Sequence, residues 1–143
     1  MTHMIPRPAT GLLASPALVL DAARCWRSAK DRGDPVQPSL FAALRAHGYA
    51  LLAPVFDSLM TLCEAALGRA LRVGTHDRVS DDEALLLDLL DGTRYARACF
   101  ACGDGLVTTL DCALCSTRIM LSLARATTGE DGPALWLPRP AAA

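Results

Sequence analysis

A chain of 143 residues with a formal net charge of −1 is one domain by length and can bury a full core without disulfide or metal staples. Hydrophobic residues make up 52% and charged residues 20%, which excludes a disordered polyelectrolyte and leaves no global basic excess of the kind that neutralises nucleic-acid phosphates. Aromatic residues stand at only 5% while alanine and leucine dominate, a balance that favours helix over strand.

Met1 to Thr10 holds Pro6 and Pro8 without periodicity, and residues 1–14 read as an N-terminal arm. Ser15-Pro16 joins a capping residue to a proline at the first helical position. The first helix then runs to about Arg32 and stops at Gly33. Its apolar face is Leu18, Val19, Ala22, Cys25, Trp26 and Ala29; Arg24, Arg27 and Lys30 fall at helical spacing on the other side and read as a solvated face. Asp34 to Pro38 forms a turn. A short second helix, Leu40 to His47, closes at Gly48. His47 there reads as a surface or capping residue.

Tyr49 to Ala53 reads as extended, because the residue before Pro54 is disfavoured from helix. The third helix, Pro54 to Leu71, carries the broadest apolar stripe and is expected at the centre of the core, with Cys63 as packing. Arg72 to Val79 is a polar loop. His76 beside Asp77 hints at acid–base chemistry, but no nucleophile pattern accompanies the pair. Ser80 to Glu83 is a capping box with two further acids in the first turn. It opens a fourth helix, Asp81 to Asp91, that stops at Gly92. The L-x-x-L-L pattern inside it reads as ordinary core.

Cys99 to Cys115 is the stretch most suggestive of chemistry. Four of the six cysteines, Cys99, Cys102, Cys112 and Cys115, form two C-x-x-C pairs with nine residues between them. Thiolate is a soft donor, and structural zinc takes four such ligands in a tetrahedron. Gly103 and Gly105 suit a tight knuckle after the first pair. Thr108 to Asp111 resembles a capping box, so a fifth helix is expected from Thr109 to about Ala126, with the second pair on its first turns. A helix start favours thiolate, and Arg94 and Arg97 flank the stretch. Spacers between such pairs are more often about 15–20 residues, so nine is short. An iron–sulfur cluster, a redox dithiol and plain packing by cysteine are the alternatives. Residues 129–143 form a tail with Leu135-Trp136-Leu137 between prolines, which either covers apolar surface or marks a docking site.

The expected protein is all-α: a bundle of about five helices over residues 15–128, with a cysteine knuckle before the last. The run Gly11 to Leu20 contains Pro16 and is too short to cross a bilayer, and Asp21 to Arg24 fits a leader cleavage site poorly. Those features point to a cytoplasmic protein without membrane contact, in a reducing compartment where C-x-x-C pairs serve metals or redox chemistry. A site with four protein ligands leaves no open position, so it stabilises rather than catalyses. The functional expectation is therefore a non-enzymatic, zinc-stabilised interaction or regulatory domain with a protein partner. A thiol redox module at Cys112 and Cys115 is the alternative, followed by a DNA-binding regulator. A metal-dependent hydrolase using His76 or Asp77 is the weakest.

Overall fold

A computed structural model describes residues 15–127. The arm expected over 1–14 and the tail expected over 129–143 lie outside the described residues. The fold is all-α. Six α-helices run in the order α1 Pro16–Arg32, α2 Val36–Arg45, α3 Ala53–Leu67, α4 Asp81–Asp91, α5 Ala96–Cys99 and α6 Asp104–Thr127. Among the described residues there is no strand beyond a single Thr75–Arg78 bridge.

Local punctuation explains the helices whose ends match expectation. α1 starts at Pro16 and turns off at Gly33, where φ is 69°; Ser15 precedes it without making a side-chain capping hydrogen bond. α4 carries both halves of its capping box: Ser80 accepts from the Glu83 N–H, and Glu83 accepts from the Ser80 N–H. Gly92, at φ 82°, ends it.

Several boundaries differ from expectation, including the end of α2, which falls at Arg45 rather than His47. α2 begins at Val36 rather than Leu40; Pro38 is tolerated because the first turn of a helix has no use for its missing N–H. The stretch before Pro54 is not extended. It forms a 3-10 turn, Ala50–Leu52, that leads straight into α3, and Ala53 is helical at φ −54°, ψ −48°. Leu52 and Ala53 are buried, and that packing outweighs the local preference of a pre-proline residue. α3 also ends four residues early, at Leu67, because Gly68 takes φ 69°.

α3 is central, as its composition implies: it packs against α1, α2 and α6. Trp26, Leu40, Leu44, Phe56, Leu59, Met60, Leu110 and Leu114 are sealed from solvent around it. The indole N–H of Trp26 donates to Asp57 at 2.9 Å, so the largest core side chain is also satisfied at its polar tip. Leu86, Leu89 and Leu90, the L-x-x-L-L leucines of α4, are buried and belong to the same core.

Candidate functional site

The cysteine stretch is built differently from its expected form. Cys99 ends the four-residue α5, and Cys102 lies in the link to α6; both are half-buried and pack on the core. α6 begins at Asp104, five residues before the expected Thr109. Thr108 to Asp111 is therefore helix interior and caps nothing. Cys112 and Cys115 sit beyond the second turn, with exposed side chains, outside the first turn in which a helix terminus acts on charge. Among the described residues, no three His, Cys, Asp or Glu side chains are grouped to hold a metal. Arg97 reaches Asp104 at 3.5 Å and Arg94 reaches Asp88 at 3.4 Å, so both flanking arginines have carboxylate partners.

The basic stripe of α1 is engaged rather than solvated. Arg24 binds Glu83, while Arg27 binds both Glu64 and Asp31. Lys30 stands 4.6 Å from the centroid of the Trp26 ring, a cation–π distance. His47 contacts Asp21 at 2.7 Å. His76 and Asp77 occupy the exposed tip of the 68–80 loop.

That loop is tied down by three carboxylates. Glu64 accepts the N–H of Leu71 at 2.7 Å, Asp82 that of Arg72 at 2.8 Å, and Glu83 that of Gly74 at 2.6 Å. Arg69 grips Asp82 with two nitrogens at 2.6 and 2.8 Å. Burial alone would raise the Glu83 carboxyl, but Arg24 and the N–H groups of Ser80 and Gly74 hold it below the usual carboxylate range. For Asp82 the Arg69 guanidinium has the same effect and outweighs burial. Every member of the cluster has its partner inside the protein, so this is a structural clasp.

Two open pockets of similar volume are present among the described residues, one against Tyr95 and Cys99 and one that is mainly apolar. A groove of about 440 Å³ runs between the 3-10 turn and the last turns of α6, walled by Tyr49, Leu51 and Leu52 on one side and by Met120, Leu123 and Ala124 on the other. Leu51 is 84% exposed, Leu123 57% and Ile119 54%. The groove continues into an outward face of α6 that also carries Cys112 and Cys115. The opposite face, Val107, Leu110, Leu114, Thr117 and Leu121, is buried in the bundle. α6 is thus apolar on both sides, whereas an ordinary surface helix has one such stripe. The last helix carries Leu114, Ile119, Leu121 and Leu123; the structure buries Leu114 and Leu121 and exposes Ile119 and Leu123. The available signal is that Cys112, Cys115, Ile119 and Leu123 share a three-and-four spacing of their own.

The same apolarity shows in helix length and hydropathy. Two helical stretches, Ala50–Leu67 and Asp104–Ala126, reach the length and mean hydropathy, 1.5 and 1.4, of a membrane span. In the first, 39% of the window is buried: Leu52, Phe56, Leu59 and Met60 lie in the core, while Leu51 is exposed. In the second, only 28% of the window is buried, so much of its apolar surface faces outward. No protein-family model, curated protein or solved structure matches the chain.

Proposed function

We propose that this chain is a non-enzymatic helical interaction domain whose docking surface is the outward face of α6 together with the adjoining groove. The observation that supports it is the cluster of exposed large apolar side chains, Leu51, Ile119, Met120 and Leu123, in one place on the surface. Single exposed apolar residues are ordinary, but a contiguous patch marks an interaction site. Of the described residues that line the groove, Arg45 is the charged one and the rest are uncharged, in keeping with the depletion of charge at interface centres.

Zinc has no part in this proposal. The expected tetrahedron needs Cys112 and Cys115 at a helix start beside Cys99 and Cys102, and the second pair lies further along α6, facing outward. A photo-crosslinking side chain placed at Leu123 of the full chain tests the reading. A covalent protein adduct at Leu123, with none at the exposed, polar Asp31, supports it. Equal yields at both positions, or no adduct at either, defeat it.

A further inference from the structure

The charges of α6 do not say what fills the apolar groove. Arg118 donates to the Leu89 and Leu90 carbonyls and Asp104 pairs with Arg97, so neither is free to select a second copy. The cation at the groove is Arg45, exposed at the end of α2. Among the described residues it makes no ion pair, whereas Arg24, Arg27, Arg69, Arg94 and Arg97 all have carboxylate partners.

An occupant that suits this groove joins large apolar side chains to a carboxylate. The chain itself carries such a segment. In the sequence beyond the described residues, the acids Glu130 and Asp131 stand just before Leu135-Trp136-Leu137, and the one base there, Arg139, lies beyond Pro138. We propose that Leu135, Trp136 and Leu137 of the same chain fill the groove, with Glu130 and Asp131 turned towards Arg45. The proposal rests on the interaction-domain reading and names what covers that surface in the free chain, so that a partner docks by displacing it.

The chain departs from α6 beside the groove. The backbone leaves the helix at Thr127, seven residues after Met120 and so within about 20° of two full turns. It therefore leaves on the groove side, with Met120 about 10 Å back along the axis. Leu135 is eight residues beyond Thr127, a span of up to about 28 Å, so the apolar trio reaches the groove with slack. Gly129, Gly132 and Pro133 suit the reversal of direction that this requires. Tyr49 and Met120 in the groove walls offer an indole the two partners it favours, an aromatic ring and a thioether. A tethered segment meets its site at an effective concentration in the millimolar range, which compensates for a small contact. The charge orients the segment, and the apolar contact holds it.

The test uses the full chain, dilute enough to be monomeric, and acrylamide quenching of its fluorescence. The chain has two tryptophans. Trp26 is sealed from solvent, so quenching of the native chain reports Trp136. Leu123→Asp, at an exposed position, should raise that quenching by about threefold or more. Arg45→Glu should raise it by about twofold, and adding Glu130→Lys with Asp131→Lys should reverse the rise. A Trp136 quenched as freely as in the unfolded chain, and unmoved by these substitutions, overturns the proposal.

The photo-crosslinking side chain at Leu123 then names the occupant by peptide mass mapping. A crosslink within one chain to the peptide that holds Trp136 supports the proposal. A product of twice 15.1 kDa made of two copies, without that internal crosslink, overturns it in favour of self-association. If Leu123 joins a different protein at a yield that Trp136→Ser leaves unchanged, the internal occupant fails and the interaction-domain reading survives. If Trp136→Ser raises that yield, both stand. An internal crosslink in the parent, with no partner adduct even in Trp136→Ser, keeps the internal occupant and defeats the interaction-domain reading.

Discussion

Arg24 of α1 and Glu83 of α4, 59 residues apart in the chain, meet with Nε donating to Oε2 at 2.8 Å. Glu83 is 1% exposed, and the same carboxylate accepts the N–H groups of Gly74 and Ser80. One side chain thereby joins α1, the 68–80 loop and the start of α4. Replacing Arg24 by Met keeps the stem but leaves a buried carboxylate without its cation. The expected loss is about 3 kcal/mol in denaturant unfolding.

Acid should loosen the same clasp. The Asp82 and Glu83 carboxyls are held below their ordinary range in the folded chain, so the unfolded state binds protons first as pH falls. Their contribution is complete above the ordinary carboxylate range of about 4 and is lost as pH drops through the depressed folded values. Thermal midpoints should hold steady down to about pH 5 and fall below it. In Asp82→Asn the midpoint should start lower, and its decline with acid should be shallower.

Gly74 is a second sensitive point. A Cβ there would lie 1.9 Å from the Arg78 carbonyl oxygen and 2.6 Å from Glu83 Oε1, so backbone would have to move. Gly74→Ala should cost about 2–3 kcal/mol. Gly103→Ala, with open space around the position, should change stability by no more than about 0.5 kcal/mol.

Thiol chemistry separates the cysteines. Burial, with some help from the Asp82 carboxylate, pushes the Cys63 thiol up to about 12, whereas Cys112 and Cys115 are exposed. An aromatic disulfide reagent at neutral pH should modify Cys112 and Cys115 rapidly and leave Cys63 unreacted until the chain unfolds. Chain purified without added zinc should show the same fast pair before and after treatment with a chelator. Slow thiols that become fast only on chelation would restore the metal-centre reading.

Most of the framework was legible because it is written in short-range signals. Pro16 with Gly33, and Ser80 with Glu83 and Gly92, each place helix ends through signals within a few residues. Gly103 and Gly105 suggest a turn, yet α6 starts between them, with Asp104 as the acid of its first turn. That shift of five residues moves Cys112 and Cys115 from a helix start to an exposed flank. The clasp was only half visible: the capping box is local, but Arg24 and Glu64 reach it across the fold. The outward face of α6 is not legible in the sequence, because spacing alone does not say which of two apolar stripes is buried.

The central claim is that Ile119 and Leu123 face outward for docking rather than for packing. Thermal unfolding of Ile119→Asp with Leu123→Asp, at a dilution where the parent chain is monomeric, tests it most directly. The predicted result is a stability within about 1 kcal/mol of the parent, as for surface positions. A loss of about 4 kcal/mol or more, the penalty for charges placed in a core, would contradict it.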